Sequence, residues 1–248
     1  MTPKGQAPST GGLTLSFNES NKYKGVITIS AIADIFPALI QGVEVTLKVL
    51  FASIILGYSM AFIAGFCRLS NNIILRSFTG FYVEVFRGTS LIVQLFWLFY
   101  ALPMLFNFDI GSNFWAGVLA ISLNYGAYMS EIVRGSILSV AKGQHEASTA
   151  LNMTRFQRMR LVILPQAVRM MLPEFGNYLI LMLKSTSLVS LIGMHDILYQ
   201  GDLLRDANLS QAPTVYLLVL VFYFLMALPL IWLTKKMEAF SKKGVATQ

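Results

Sequence analysis

Long apolar stretches alternate along this chain with short polar segments. A bilayer core about 30 Å thick is crossed by roughly 20 helical residues, so an apolar stretch of that length predicts a membrane-spanning helix. Five windows meet this requirement, at approximately residues 43–66, 78–106, 114–133, 172–192 and 214–234. The pattern therefore predicts an all-α, polytopic membrane protein with about five transmembrane helices. Composition agrees, because the 248 residues are 55% hydrophobic and only 12% charged.

Basic residues are concentrated in alternate segments between these windows. Segments 67–76, 134–169 and 235–248 hold twelve Lys and Arg residues, whereas segments 1–35, 104–113 and 193–213 hold four. Short loops rich in Lys and Arg remain in the cytoplasm, so we expect the N-terminus outside and the C-terminus inside. The net charge of +7 is thus interpreted as an orientation signal and not as a nucleic-acid-binding surface.

This topology divides the chain into three parts. Residues 1–35 are rich in Gly, Ser, Thr and Pro and are predicted to form a flexible extracytoplasmic tail. Residues 36–240 are predicted to form one transmembrane domain, with a cytoplasmic loop at about 139–165. Residues 241–248 are predicted to be a cytoplasmic tail.

Small residues recur at every fourth position in the first and third windows. Such stripes lie on one helix face and allow two helix backbones to approach closely. We therefore predict packing faces, without chemistry of their own, at Ser53, Gly57, Ala61 and Gly65 and at Ser122, Gly126 and Ser130.

A few polar side chains lie inside the apolar windows, where each is costly unless it faces the bundle interior or a water-filled path. Glu84 and Arg87 are three residues apart and can share a helix face, with Gln94 two turns further on. For Glu84 and Arg87, an internal ion pair and a ligand role are both consistent with the spacing. Asn124 and Lys184 complete the set; for Lys184 the alternatives are a pathway role and snorkelling to the membrane surface.

Motifs for catalysis are missing from the sequence. No Gly-Lys pair occurs, so there is no phosphate-binding loop of the G-x-x-x-x-G-K-[ST] type. His145 and His195 lack neighbours at metal-ligand spacing, and Cys67 is the single cysteine. We expect a chain that is not an enzyme by itself and has no catalytic residues, no metal site and no cofactor of its own.

The stretch "EASTALNMTRFQRMRLVILPQA", residues 146–167, resembles a known family. Glu146, Ala147, Ala150 and Leu151, followed thirteen residues later by "LPQA", are similar to the EAA loop of bacterial ABC importer permeases. The segments "EVFRGTSLIVQLFWLFYALP", "YGAYMSEIVRGSI", "GQHEASTALNM" and "LKSTSLVSLIG" resemble the polar amino acid branch of that family. Asn152 stands where the family pattern has Gly, but Asn also tolerates a left-handed conformation.

This resemblance implies the transmembrane domain of a type I ABC importer (MetI-like) in the bacterial inner membrane. It implies a permease subunit that translocates polar amino acids or close analogues, paired with a second, identical or paralogous permease. Its other partners would be a dimer of ATP-binding subunits, which bind the ATP, and an extracytoplasmic solute-binding protein. Coupling to the ATPase would use Glu146, Ala147, Ala150, Leu151 and Asn152. An alternative for this loop is contact of Arg155, Arg158 and Arg160 with lipid phosphates.

Within this interpretation, the polar residues of the windows line a substrate pathway. Arg87 has the planar fork suited to a carboxylate, and Lys184 is a second cation. Glu84, Gln94, Asn124 and Ser185 are then acceptors or shape-setting neighbours. Ser185 stands where many members have Asp, which predicts weaker preference for cationic side chains. The alternatives are an ATP-independent secondary transporter or channel subunit and, from another class, a membrane enzyme or scaffold.

Overall fold

The computed structural model describes residues 29–107 and 111–242, and these residues are almost entirely helical, with no β-strand among them. The helices are α1 (Ile29–Arg68), α2 (Ile73–Gly88), α3 (Leu91–Phe96), α4 (Leu102–Phe106), α5 (Asn113–Leu138), α6 (Lys142–Ala150), α7 (Arg155–Arg158), α8 (Leu164–Ser185), α9 (Ile197–Ala207) and α10 (Ala212–Lys242). Short π-helical segments join α3 to α4 and α7 to α8, and 3₁₀ turns flank α9. The predicted all-α fold is confirmed.

Helix α1 is the longest element, and its 40 residues measure about 60 Å along the axis, twice the thickness of a bilayer core. It begins at Ile29, so the last seven residues of the predicted flexible tail are helical. The remainder of that tail, residues 1–28, and most of the predicted C-terminal tail, residues 243–248, lie outside the described residues.

The centre of the bundle is a tight, parallel contact between α1 and α5. A Cβ atom on Gly57 would lie 3.6 Å from the Ser122 Cα, and one on Gly65 would lie 2.7 Å from the Val133 Cβ. The Ser122 hydroxyl donates a hydrogen bond to the Ser53 carbonyl over 3.3 Å. The two predicted small-residue stripes therefore face each other, and α5 is largely buried between α1, α2 and α8.

Length and apolar composition mark three segments as able to cross a membrane: Ile35–Arg68, Arg155–Ile192 and Leu209–Lys242. A fourth is bent, because α2 and the α3–α4 segment meet at 110°. The prediction of one continuous helix over 78–106 was thus wrong, and a break at Thr89–Ser90 divides it. The window at 114–133 corresponds to α5, which is 26 residues long but contains too many small and polar residues to be counted with the apolar spans.

The two ends of the bundle are built differently. Arg68 and the last turn of α5 lie at one end, next to α6, and we call this the α6 end. At the other, α9 end, a separate apolar cluster joins α1, α9 and α10. Thr46 of α1 contacts the first turn of α9 there, about 33 Å along the helix from Arg68. The members of this cluster are Ile35, Leu39, Ile197, Val215, Val219 and Phe222.

Candidate functional site

The break between α2 and α3 interrupts the helical backbone within the apolar part of the bundle. Thr89 and Ser90 are both extended, with ψ angles of 156° and 137°. Backbone carbonyls freed by such a break need partners, because lipid supplies none. The Gln94 amide nitrogen supplies them, donating to the Phe86 carbonyl over 2.9 Å and to the Thr89 carbonyl over 3.2 Å.

Asn124 of α5 completes this hydrogen-bond network. Its amide nitrogen donates to the Gln94 side-chain oxygen and to the Phe86 carbonyl, both over 3.0 Å. Gln94 also donates to the Thr89 hydroxyl over 2.7 Å. The structure thus brings together two predicted pathway residues, both buried. Their amide nitrogens are used to hold the bend against α5.

A cavity of about 320 Å³ lies beside the bend, between α5 and α8. We call it the tyrosine-lined cavity, because Tyr125, Tyr128 and Tyr178 provide its aromatic wall. The Tyr178 ring lies 5.9 Å from the Tyr125 ring and 6.3 Å from the Tyr128 ring. Its other lining residues are Thr89, Ser90, Leu91, Asn124 and Leu181. These tyrosines were not among the predicted site residues, because aromatic residues in an apolar window are also typical of packing.

Arg87 lies at the edge of this cavity. Its guanidinium carbon lies 5.5 Å from the centre of the Tyr128 ring, and the Tyr128 hydroxyl donates to the Arg87 carbonyl over 3.1 Å. No ion pair joins Arg87 to Glu84 in the described part of the chain, so the geometry does not provide the internal pair that the spacing allowed. Both side chains are exposed.

Lys184 and Ser185 lie at the end of α8, on the other side of the cavity. The Ser185 hydroxyl is 2.5 Å from the Tyr125 hydroxyl, so it is tied to the cavity wall. Lys184 is exposed. The cavity therefore has one cation in contact with its wall, Arg87 from α2, whereas Lys184 is not among its lining residues.

A charged cluster at the α6 end was missed in the sequence. Glu131 of α5 forms ion pairs with Arg68 of α1 and with Arg134 one turn further along α5. Both Arg134 hydrogen bonds reach one Glu131 oxygen, from Nε over 3.2 Å and from a terminal nitrogen over 3.1 Å. The i, i+3 spacing of Glu131 and Arg134 was visible in the sequence, but Arg68 is too distant along the chain for its partner to be identified.

Helix α6 ends in a Schellman motif. The Met153 N–H donates to the Ser148 carbonyl over 3.1 Å, and the Asn152 N–H donates to the Thr149 carbonyl over 3.0 Å. Asn152 has a φ of 53°. It thus adopts the left-handed conformation that such a motif requires and for which Gly is the usual residue.

The outer surface of this region carries exposed small and apolar side chains. Ala147 and Ala150 of α6 are exposed, and Leu151 and Phe156 each expose 71% of their surface. We call these four residues the α6 surface. Glu146 lies beside it, in a hollow that also includes Thr149 and Arg158. Arg158 donates to the Thr149 hydroxyl over 2.9 Å, which links α7 to α6.

Asp196 at the α9 end is a buried carboxyl that the sequence did not identify. It caps α9 by accepting from the Tyr199 N–H over 3.0 Å, and the Tyr223 hydroxyl donates to its other oxygen over 3.2 Å. Burial raises the pKa of the Asp196 carboxyl to about 6, against the opposing effect of these hydrogen bonds.

Comparison with known proteins identifies the class of this bundle. Residues 53–239, from the middle of α1 to near the end of α10, match the family described as the binding-protein-dependent transport system inner membrane component. The chain belongs to this family. The matched range contains the bend, the tyrosine-lined cavity and the α6 surface.

Individual members of this permease family are similar over most of their length. A probable amino-acid ABC transporter permease of Sinorhizobium fredii is 45% identical over 80% of this chain and 85% of its own. The glutamine transport system permease of Escherichia coli is 38% identical over 84% of this chain and 95% of its own. A crystal structure of an amino acid ABC transporter with histidines superposes with a TM-score of 0.79, at 34% identity, over 86% of this chain and 98% of that one.

Family membership establishes the general role of the chain. It is a transport subunit of an inner-membrane ABC importer, and an importer of this kind works with an ATP-binding subunit and a binding protein. The predicted fold and general function are therefore confirmed.

Proposed function

We propose that the permease translocates polar amino acids or close analogues through the tyrosine-lined cavity. The observation that carries this proposal is the contact of one cation, Arg87, with Tyr128 at the edge of a cavity with hydroxyl-bearing walls. Lys184 is the second cation, and it adjoins Ser185, whose hydroxyl contacts the Tyr125 hydroxyl of the cavity wall. An amino acid brings a carboxylate that a guanidinium or ammonium group attracts, and an ammonium group that hydroxyl and carbonyl oxygens accept. Similar permeases are named for the transport of glutamine or of amino acids in general, and this supports the same class of cargo here.

The predicted pathway residues take different roles in this proposal. Arg87 and Lys184 attract the carboxylate. Glu84 provides a negative charge on the same face of α2 as Arg87. Ser185 shapes the wall through its hydrogen bond with Tyr125, and its lack of charge weakens preference for cationic side chains. Gln94 and Asn124 act indirectly, by keeping the bend in place.

We further propose that the α6 surface docks into a cleft of the ATP-binding subunit. Ala147, Ala150 and Leu151 supply an exposed small and apolar face, and Glu146 and Asn152 flank it. The Schellman motif at Asn152 fixes where α6 ends, so the surface keeps one shape. Of the three arginines after it, Arg155 and Arg160 remain available for lipid phosphates at its edge, whereas Arg158 is hydrogen-bonded to Thr149.

The assembly in this proposal has two permease subunits, identical or paralogous, with a dimer of ATP-binding subunits below the α6 end. ATP is bound by those partners, and the permease carries no cofactor. The N-terminus lies outside the cytoplasm and the C-terminus inside, as the distribution of Lys and Arg favours. The binding protein delivers cargo at the α9 end.

Reconstitution with the natural ATP-binding subunit tests this function. We expect ATP-dependent uptake of at least one polar amino acid into proteoliposomes, and ATP hydrolysis stimulated by the loaded binding protein. Uptake by the permease alone, driven by an ion gradient, would instead identify a secondary transporter.

Separate Arg87→Gln and Lys184→Gln variants test the pathway. We expect uptake to fall about tenfold for Arg87→Gln, because a charge-assisted hydrogen bond is lost, with unchanged membrane abundance. Lys48→Gln is the matched control, since Lys48 is an exposed cation that is paired with Glu44 at 2.6 Å and does not line the cavity. Unchanged uptake in both pathway variants would remove the cations from the mechanism.

Ala147→Glu tests docking. A charged side chain at a buried contact is costly, so we expect loss of ATPase association and uptake while the permease remains in the membrane. Ala141→Glu, an exposed alanine just before α6, is the control. Normal association of the Ala147→Glu variant with the ATP-binding subunit would mean that the α6 surface contacts water or lipid and does not dock.

A further inference from the structure

A second cavity lies at the α6 end, between α2 and α5, and its volume is about 570 Å³. We call it the polar cleft. It is more charged than the tyrosine-lined cavity, and the residues that carry its chemistry are Arg68, Arg76, Ser77, Gly80, Glu84 and Arg134. Three arginines from three helices, Arg68, Arg76 and Arg134, line this one cavity and repel each other, so the arrangement needs a counter-charge.

The protein supplies only part of that counter-charge. Glu131 is shared between Arg68 and Arg134, so one carboxylate neutralises one of two guanidinium charges. Arg76 has no ion pair or side-chain hydrogen bond among the residues that the structure describes, and the same holds for Glu84. Glu84 and Glu131 together balance two of the three charges of Arg68, Arg76 and Arg134, so the cleft keeps one net positive charge. Among the described residues, Arg76 is the guanidinium of the cleft without an ion pair.

The polar cleft and the tyrosine-lined cavity share one side of α2. Arg76, Gly80, Glu84 and Arg87 follow each other at helical spacing along this side. Arg87 reaches the tyrosine-lined cavity through its contact with Tyr128 and is also close enough to Arg68 for their charges to interact. The two cavities are thus consecutive along α2, with Arg87 between them.

The opposite side of α2 is entirely different. A groove between α1 and α2 there is lined almost only by apolar side chains, among them Ile63, Phe78 and Val85. Phe81 lies on the ridge and lines both cavities. The charged side of α2 is therefore separated from the side that suits lipid chains, and it continues the polar route that begins at the tyrosine-lined cavity.

We propose that the polar cleft is a second binding station for the cargo. The cargo reaches this station after it leaves the tyrosine-lined cavity, and Arg76 is the primary partner of its carboxylate. This inference rests on the proposed function of the chain. A guanidinium forms two parallel hydrogen bonds with a carboxylate, and Arg76 has all its donors free. Arg76 is exposed, so water weakens the contact enough for release. Arg134, partly occupied by Glu131, adds long-range attraction.

Protection of an introduced cysteine tests this station directly. Ser77→Cys in a Cys67→Ala background places a thiol in the cleft of the complete transporter. We measure its rate of modification by an anionic methanethiosulfonate reagent, without ATP, with access from the α6 end. The probe is whichever of L-glutamine, L-histidine and L-glutamate shows the fastest uptake. At ten times its half-protecting concentration we expect about tenfold slower labelling, because roughly one cleft in ten remains empty.

Two comparisons make the result specific. The same amino acid with its carboxylate converted to an amide should not protect Ser77→Cys, and no probe should protect Ser139→Cys, a thiol at the exposed end of α5. Adding Arg76→Gln should raise the half-protecting concentration about tenfold, because the charge-assisted contact is lost. Protection that survives Arg76→Gln unchanged overturns the assignment of Arg76.

Failure of this station is distinguishable from failure of the proposed function. Uptake without protection of Ser77→Cys overturns the station alone. No ATP-dependent uptake of any amino acid overturns the proposed function, and the station with it. The labelling of Ser77→Cys is also compared in phosphatidylglycerol and phosphatidylcholine vesicles. Slower labelling in phosphatidylglycerol, with no effect of the amino acid, also overturns the station and identifies the cleft as a lipid headgroup site.

Discussion

The side-chain amide of Asn124 donates a hydrogen bond to the side-chain oxygen of Gln94 over 3.0 Å, which joins the middle of α5 to the chain just beyond the bend. Both side-chain amides also donate a hydrogen bond to the Phe86 carbonyl. Because lipid cannot replace these partners, we expect Asn124→Ala and Gln94→Ala each to lower the free energy of unfolding by about 1–3 kcal/mol. Titration with a denaturing detergent measures this.

A double-mutant cycle isolates the pair. The coupling energy of Asn124 and Gln94 should be about 0.5–1.5 kcal/mol. The control cycle pairs Asn124 with Asn72, an exposed helix cap at the α6 end. Its coupling energy should be close to zero. Equal couplings for the two pairs would mean that the bend is held by something else.

Asn152 gives a prediction about coupling. Its φ of 53° suits Gly and Asn but strains a β-branched residue by roughly 1–2 kcal/mol. We expect Asn152→Gly to retain full ATP-dependent uptake, whereas Asn152→Val should reduce uptake at normal membrane abundance, because the end of α6 can no longer close its Schellman motif. Equal uptake in the two variants would show that the geometry of this turn is unimportant.

Gly42 gives a prediction about packing at the α9 end. A Cβ atom there would lie 2.6 Å from the Ile197 nitrogen and 2.7 Å from the Asp196 carbonyl, and backbone atoms cannot rotate away. Gly42→Ala should therefore destabilise the protein by about 1–3 kcal/mol, as overpacking does. Gly135→Ala is the matched control in open space, where removing a helical glycine should stabilise by about 1 kcal/mol. Thermal midpoints of the detergent-solubilised proteins compare them.

Asp196 gives a prediction about pH. Its carboxyl has an ordinary pKa of 3.8 that burial raises to about 6, so the folded state holds the proton more tightly than the unfolded state. Stability from this group is therefore present below about pH 4 and is lost as pH rises to about 6, by an amount on the order of 3 kcal/mol. Asp196→Asn keeps the helix cap and should remove this dependence.

The measurement is the difference in thermal midpoint between Asp196→Asn and the unaltered protein at about pH 4 and about pH 7. We expect the variant to gain relative stability at the higher pH. Asp206→Asn, which changes a carboxylate that is 65% exposed on the same helix, should show no such gain. A constant difference for Asp196→Asn across this range would contradict the raised pKa.

Features that depend on local spacing were predictable from the sequence. The four-residue repeat of Ser53, Gly57 and Gly65 indicated a packing face, and Gly57 does lie against Ser122. The left-handed turn at Asn152 followed from the conformational range of Asn. Helix length and apolar content gave the class of fold, because the bilayer imposes both.

Features that depend on distant partners were not predictable. The apolar window 78–106 contains Gly88, Thr89 and Ser90, which suit a helix end followed by a helix start. The bend itself is stabilised by Asn124, thirty residues beyond Gln94, and that partner is not visible in the local sequence. Glu131 acquires Arg68 as a partner only when α1 and α5 run parallel. A cavity wall forms from Tyr125, Tyr128 and Tyr178 only after two helices meet. The spacing of these residues in the sequence does not distinguish a cavity wall from a packed core.

The two apolar contacts of α1 differ in what drives them. Around Gly57 and Gly65 the helices meet inside hydrocarbon, where burying an apolar group gains little and close fit must provide the stability. In the cluster with Ile197, Ile35 and Leu39 lie about 44–50 Å from Arg68 along α1, beyond a bilayer core about 30 Å thick, so for these side chains the alternative to burial is contact with water. Opening that cluster should therefore carry a positive change in heat capacity, whereas separating the small-residue faces should carry little. The contact of α1 with α9 should thus weaken on cooling, whereas the contact of α1 with α5 should not.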